Sequence, residues 1–190
     1  MFRKSLITAF TALVLISSGL ASASDYSIDT AHSSIKLKIS HLGYSWLYGR
    51  FNTFNGGFSY DENNPAASKA SVEIDTASVD TSHAERDKHL RSDDFLDVAK
   101  YPKANFVSTG FQDQGDGKGL LKGDLTLHGF TQPISIEVMH IGGGDDPWGK
   151  YRNGFSGTTK LTLSDFGITK NLGPASTQVE LMLDIEGIRK

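Results

Sequence analysis

Apolar and polar residues alternate along most of the chain. In the stretch 34–41, Ile35, Leu37 and Ile39 share one face with His41, and lysines occupy the other face. A period of two predicts a β-strand with one buried face and one face in water. The same pattern returns in the segments 70–75, 104–111, 121–127, 134–140, 155–163 and 178–185.

The segments between the predicted strands are short and rich in turn residues. Residues 47–60 predict two strands with a glycine kink at Asn55-Gly56-Gly57. Residues 113–119 predict a hairpin turn, and residues 142–149 predict a long glycine loop. About eight strands in hairpin succession favour an antiparallel barrel or a sandwich, and a closed barrel leaves no exposed sheet edge. We therefore expect a mainly β fold, an extended eight-stranded antiparallel barrel.

One segment after the N-terminus, Ser82 to Asp97, predicts a helix. Ser82 and Glu85 have the spacing of a capping box. Phe95 and its neighbours form a second short turn that faces inward, before Pro102 ends the segment. We expect this short helix to lie at one mouth of the barrel.

The predicted helix carries several cations within about two turns: Arg86, Lys88, His89 and Arg91. An apolar interior beside a cationic rim suits a ligand with a long apolar tail and an acidic head. The alternative is a solvated connection whose cations pair with the nearby acidic residues, and composition alone favours this interpretation. Those acidic residues are Glu85, Asp87, Asp93 and Asp94.

The N-terminus has the order of a secretory signal. Arg3 and Lys4 precede an apolar run, and the small-residue site Ala21-Ser22-Ala23 follows it. We predict cleavage after Ala23, with residues 1–23 as signal peptide and residues 24–190 as one exported domain. An uncleaved membrane anchor is the alternative, but the apolar run is short for a bilayer span. The sequence thus predicts export through a cleaved signal peptide.

Composition and spacing exclude several kinds of site. The net charge is −3, so the chain has no general attraction to nucleic acid. It has no cysteine, which excludes disulfides and thiol chemistry. The six histidines lack the spacing of a metal motif, and no G-x-S-x-G elbow is present. We predict no catalytic residue, no metal, no cofactor and no enzymatic activity.

Several long motifs resemble the YceI family of periplasmic proteins. They include SIKLKISHLGYSWLYGRFNTFNGGF from Ser34, VDTSHAERDKHLRSDDF from Val79, and GDLTLHGFTQP from Gly123. Shorter matches are GDDPWG and LGPAS, and together the motifs cover essentially the whole predicted mature chain. The resemblance implies a lipocalin-like barrel that holds a polyisoprenoid or another long-chain amphiphile.

The resemblance also implies site residues. The ligand tail is expected to contact strand and helix residues of the barrel interior: Ile35, Leu37, Ile39, Phe51, Phe54, Phe58, Phe95 and Phe106. The head group is expected near polar residues of the first long strand and the helix: His41, Arg86, His89 and Arg91. Without the resemblance, the phenylalanines would be interpreted as ordinary core.

Three functions remain open at this point. The first is a periplasmic carrier for an isoprenoid or fatty-acid-like lipid, such as a prenyl phosphate or an isoprenoid quinone. The second is an enzyme that acts on such a lipid, and the third is a stress-related interaction module with a filled core. The resemblance favours the first and suggests transient association with a membrane or a b-type cytochrome. Both a monomer and a homodimer are compatible with the sequence.

Overall fold

The fold is built from strands, as the alternating pattern predicts. A computed structural model describes residues 23–190, and most of the predicted signal peptide lies outside this range. The strands are β1 (Ser24–Ile28), β2 (Ser34–His41), β3 (Ser45–Phe51), β4 (Phe54–Tyr60), β5 (Lys69–Asp75), β6 (Val79–Asp80), β7 (Lys103–Gly115), β8 (Lys118–Leu127), β9 (Phe130–Asp145), β10 (Tyr151–Thr162) and β11 (Gln178–Arg189). The helix α1 is Ala84–Leu90, and four 3-10 turns are Pro65–Ala67, Thr76–Ser78, Leu163–Phe166 and Pro174–Ser176.

The sheet closes on itself. Neighbouring strands follow the order β1-β4-β5-β7-β8-β9-β10-β11, and β11 pairs again with β1. All of these pairings are antiparallel, with Tyr26 opposite Arg189 at the closing seam. The predicted eight-stranded antiparallel barrel is therefore confirmed.

The other three strands lengthen the barrel at one end. β1 and β2 both pair along β11, with Ile28 opposite Gly187 and Ser34 opposite Asp184. β3 continues the line of β4, and β6 continues the line of β5. Three of the eight barrel positions are therefore each filled by two strands: β1 with β2, β4 with β3, and β5 with β6. Eleven strands thus form eight positions.

Two predicted irregularities lie elsewhere. The break in residues 47–60 falls at residues 52–53, whereas Gly56 and Gly57 are paired within β4. A Cβ on Gly57 would lie 2.6 Å from the carbonyl oxygen of Tyr26, so this glycine allows close strand approach rather than a kink. The predicted long glycine loop was also wrong, because β9 extends to Asp145 and pairs with β10.

The predicted helix forms, but Ser82 does not cap it. Ser82 has a φ of +60°, whereas an N-cap residue has extended backbone. The N-cap is His83, whose Nδ1 accepts a hydrogen bond from the backbone N–H of Arg86 at 3.2 Å. Within residues 23–190, no helix is long and apolar enough to cross a membrane.

The segment after α1 packs against one end of the barrel. Phe95 and Leu96 are buried and form a cluster with Val79 and Ile168. This cluster covers the region beyond the β5–β7 pairing, where β6 pairs with β3 alone. The helical segment therefore lies at one end of the barrel, as expected.

Candidate functional site

Two cavities lie in the barrel interior that residues 23–190 form. The larger has a volume of about 560 Å³ and lies at the end that α1 covers. The smaller has a volume of about 150 Å³ and lies farther along the barrel. Ile74, Leu125 and Leu181 border both cavities. The two cavities therefore adjoin, and apolar side chains form most of their lining.

Three segments surround the mouth of the larger cavity: the β2–β3 hairpin, the segment from Arg86 to Leu96, and the loop from Asn171 to Ser176. Ser176 joins the hairpin to the loop. Its hydroxyl donates to the carbonyl oxygen of Ser40 at 2.6 Å and accepts from the N–H of Leu42 at 3.4 Å. The mouth is thus framed by segments that are far apart in sequence.

Arg86 lines the larger cavity and is held by a network within the helical segment. Its Nε and Nη2 donate to the hydroxyl and the carbonyl oxygen of Thr81, both at 2.7 Å. The buried carboxylate of Asp87 accepts from the N–H of Thr81 at 2.8 Å and from its hydroxyl. Within residues 23–190, Arg86 Nη1 makes no hydrogen bond. This nitrogen can therefore donate to a ligand in the cavity that Arg86 lines.

His41 and His89 also line the larger cavity. His89 Nε2 lies 2.7 Å from Asp94 Oδ2, and the same oxygen accepts from Lys170 at 2.7 Å. These two partners hold the pKa of the Asp94 carboxyl below its usual range. The alternative interpretation, in which the helix cations pair with nearby acids, therefore applies to His89. This residue nevertheless lines the cavity.

Arg91 does not line either cavity. Its Nε donates to the carbonyl oxygen of Ala77 at 2.7 Å, and its Nη2 donates to that of Val79 at 2.6 Å. The guanidinium thereby attaches the C-terminal end of α1 to β6. Of the four predicted head-group residues, the structure brings together His41, Arg86 and His89 and places Arg91 outside that group.

Most of the predicted tail-binding residues line the interior. Leu37, Ile39, Phe51 and Phe95 border the larger cavity, and Ile35, Phe58 and Phe106 border the smaller one. Phe54 borders neither cavity. It is buried in a cluster with Ile35, Ile74 and Ala104, and it lies opposite Ile74 in the β4–β5 pairing.

Several residues that line the larger cavity are not among the predicted site residues: Leu127, Leu161, Leu163, Ile168, Leu172 and Val179. The alternating pattern of β8, β10 and β11 marks the strand members of this set as inward-facing. Ile168 and Leu172 lie in the irregular segment between β10 and β11, where no period indicates a face. Only the folded chain identifies them.

One group of potential metal ligands lies near the opposite end of the barrel. Ligand atoms of Asp29, His32 and Glu186 lie within 4.8 Å of one another. Arg152 Nη1 donates to Asp29 at 2.7 Å and to Glu186 at 2.5 Å. Hydrogen bonds from Arg152 and His32 lower the pKa of Asp29 to about 2. A guanidinium already neutralises these carboxylates, so the group does not suit a metal ion.

The closed barrel and its apolar interior define a class of protein, the lipocalin-like β-barrels. Within that class the chain belongs to the YceI-like domain family, whose sequence profile matches residues 26–187. A UPF0312 protein of Ectopseudomonas mendocina is 58% identical over 187 residues, covering 96% of this chain and 98% of the relative. A UPF0312 protein of Pseudomonas aeruginosa is 54% identical over 192 residues and the full length of both chains.

Solved structures share the fold. The Campylobacter jejuni YCEI protein is 30% identical, with a TM-score of 0.72 over 80% of this chain and 90% of that one. BcnA of Burkholderia cenocepacia has a TM-score of 0.75 at 22% identity, over 84% of this chain and 98% of that one. A polyisoprenoid binding domain from Saccharophagus degradans has a TM-score of 0.65 at 19% identity, over 87% and 98% of the two chains.

Proposed function

We propose that this protein binds and carries a polyisoprenoid or similar long-chain amphiphile, with the tail inside the barrel. The observation that carries the proposal is the pair of adjoining apolar cavities that meet at Leu181. The polyisoprenoid binding domain of similar fold supports the ligand class. The predicted signal peptide supports a periplasmic location for the carrier. Chemistry on the ligand is not part of the proposal.

Burial of the tail supplies most of the binding free energy in this proposal. Ten buried methylene equivalents contribute roughly 8 kcal/mol before the cost of ordering the ligand. A cation and a hydrogen bond at the mouth add about 1–3 kcal/mol. The tail therefore sets affinity, and the head group sets orientation and selectivity.

The head group in this proposal contacts His41, Arg86 and His89. Arg86 Nη1 is oriented by the two bonds of the same guanidinium to Thr81. A prenyl phosphate would accept a charge-assisted hydrogen bond from it, and a quinone carbonyl would accept a weaker one. Prenyl phosphates and isoprenoid quinones are thus the two ligand classes proposed, with the phosphate gaining more from Arg86.

The test is extraction of the bound lipid. The full chain, expressed with its own N-terminal segment and purified without detergent, is extracted with organic solvent and analysed by mass spectrometry. We expect a stoichiometric long-chain isoprenoid. Leu181→Phe narrows the junction of the two cavities and is expected to reduce retained lipid at least about fivefold.

Met182→Phe is the matched control, because this neighbouring side chain lies on the opposite face of β11. It should retain as much lipid as the parent protein. Absence of lipid from the extract, together with no uptake of added prenyl phosphate or quinone, contradicts the proposal. Equal loss in both variants contradicts the assignment of the tail to the barrel interior.

A further inference from the structure

The β2–β3 hairpin exposes an unusual number of large apolar side chains. Leu42, Tyr44, Trp46 and Tyr48 are 52%, 87%, 58% and 57% exposed. Four such residues within seven positions form a contiguous exposed group, which on a soluble protein indicates an interaction surface. We call residues 42–48 the aromatic hairpin.

The aromatic hairpin borders the mouth of the larger cavity. His41, Leu42 and Leu47 line that cavity, while Tyr44 and Trp46 do not. In β2 and β3, the pairs Ser40–Trp46 and Lys38–Tyr48 lie on the outer face of the barrel. Some residues of the hairpin therefore line the cavity, and others lie on the outer surface beside its mouth.

The charge of this part of the chain is one-sided. Residues 34–51 contain Lys36, Lys38 and Arg50 but no acidic residue, although the whole chain has a net charge of −3. The ammonium of Lys38 lies 4.4 Å from the ring centroid of Trp46. The acids that pair with the two lysines, Asp184 and Glu180, belong to β11, and the Lys36 pair is half exposed. The Lys36 pair is therefore weak, whereas the Lys38–Glu180 pair is more covered, with side chains 24% and 29% exposed.

We propose that the aromatic hairpin docks on the surface of a lipid bilayer that contains anionic phospholipid. Tyrosine and tryptophan favour the membrane–water interface because each has an apolar ring and a polar group. Basic residues beside them attract anionic head groups. This inference rests on the proposed function. Docking through the hairpin places the mouth of the larger cavity against the bilayer, so that the lipid tail passes between bilayer and cavity without exposure to water.

A second exposed group has different surroundings. Met139, Ile141 and Trp148 are 46%, 68% and 77% exposed. They lie on β9 and the β9–β10 turn, at the opposite end of the barrel from the β2–β3 turn. Trp148 lies between two acids, Asp145 and Asp146, and two cations, Lys150 and Arg152, and the Arg152 guanidinium lies 6.0 Å from its ring, so the charge at this end is mixed. It provides a natural comparison for the aromatic hairpin.

The chain has two tryptophans, one in each exposed group, so fluorescence reports on them separately. Trp148→Phe leaves Trp46 as the sole tryptophan, and Trp46→Phe leaves Trp148. With vesicles of phosphatidylcholine and phosphatidylglycerol at three to one, about the charge of an anionic leaflet, we expect a blue shift for Trp46 alone. Brominated acyl chains should quench Trp46 and leave Trp148 unchanged. A response from Trp148, or from neither, overturns the proposal.

Vesicle flotation with a double variant measures the contribution of the hairpin. Tyr44→Ser combined with Trp46→Ser removes two exposed rings without touching the cavity lining. We expect at least about tenfold weaker vesicle partition. Trp148→Ser should partition like the parent protein. Equal partition of the double variant and the parent contradicts docking through this hairpin.

The two proposals fail separately. Prenyl lipid added in solution should still bind the double variant, because Tyr44 and Trp46 do not line the cavity. A parent protein that binds vesicles but holds no lipid refutes the carrier proposal and leaves the docking result standing. If the parent protein holds lipid but does not bind vesicles, docking is refuted. Size-exclusion chromatography at equal concentration tests whether a second copy of the chain covers the hairpin. If the parent protein is a dimer and the double variant is a monomer, docking on a bilayer is also refuted.

Discussion

At the scale of single residues, Asp87 organises the cation that faces the cavity. Its side chain is buried, with an exposed fraction of 7%. It accepts from both the N–H and the hydroxyl of Thr81, and that hydroxyl in turn accepts from Arg86 Nε. From the sequence alone, Asp87 is one of the acids expected to pair with the helix cations in solvent. The structure instead makes it the anchor that orients Thr81 and, through Thr81, Arg86.

Replacement of Asp87 tests this anchor. Asp87→Ala leaves the N–H of buried Thr81 without an acceptor, so we expect the free energy of unfolding to fall by about 1–3 kcal/mol. Asp87→Asn retains an acceptor oxygen and should lose less. Urea denaturation of the three proteins measures both effects. Equal losses for Ala and Asn would mean that the charge of Asp87, rather than its hydrogen bonds, stabilises the segment.

At the scale of elements, α1 depends on its tertiary contacts. It has seven residues, too few for a stable isolated helix. Its C-terminal side is held by the burial of Phe95 and Leu96 and by two hydrogen bonds from Arg91, one to Ala77 in the preceding 3-10 turn and one to Val79 in β6. Since Arg86 and His89 lie on the same segment, these contacts also determine where the predicted head-group residues face.

Loss of the Arg91 contacts should loosen this segment locally. Arg91→Met keeps the apolar stem but removes both hydrogen bonds, so we expect about tenfold faster amide exchange in residues 84–96. Exchange in β8 and β9 should remain unchanged, because neither strand contacts Arg91. Hydrogen exchange with mass spectrometry measures both regions. A uniform increase across the barrel would contradict a local role.

At the scale of the whole molecule, an ion-pair network lies near the seam that closes the barrel. Arg152 on β10 donates to Asp29, Asp146 and Glu186, which come from three other parts of the chain. Asp29 follows β1, and Glu186 belongs to β11, so the network joins the strands of the seam. An ion-pair network therefore joins the strands near the far end of the barrel, whereas apolar packing of Phe95 and Leu96 holds the helical segment at the end with the mouth.

The network predicts a specific pH dependence. The pKa of Asp29 falls from 3.8 to about 2 in the folded protein. A depressed pKa stabilises the fold above the unfolded value, and this stabilisation is lost as pH falls from about 4 towards 2. Arg152→Met should thus reduce stability most at neutral pH, and its difference from the parent should shrink in that acidic window.

Unfolding free energies of both proteins between pH 2 and pH 7 provide the measurement. Lys36→Met is the control, because Lys36 and Asp184 form a half-exposed pair. This variant should differ little from the parent at any pH. A difference between the parent and Arg152→Met that stays constant down to pH 2 would show that Asp29 does not titrate as proposed.

The local pattern along the chain was enough to predict the strands and the barrel. Side chains alternate with a period of two in any strand, so Ile35, Leu37 and Ile39 could be assigned to one face before any fold was known. The motifs resembling the YceI family were equally local, and the family is confirmed. The expectation of a short charged helix at one mouth of the barrel also came from the sequence.

Only the tertiary structure decided which residues meet at the mouth. Arg86 and Arg91 are five positions apart and chemically alike, yet Thr81 directs one to the cavity and the carbonyls of Ala77 and Val79 hold the other. Leu172 enters the cavity lining from a segment with no period. The reason is physical: periodicity reports the face of an element, whereas contacts between distant segments depend on how the closed sheet brings them together.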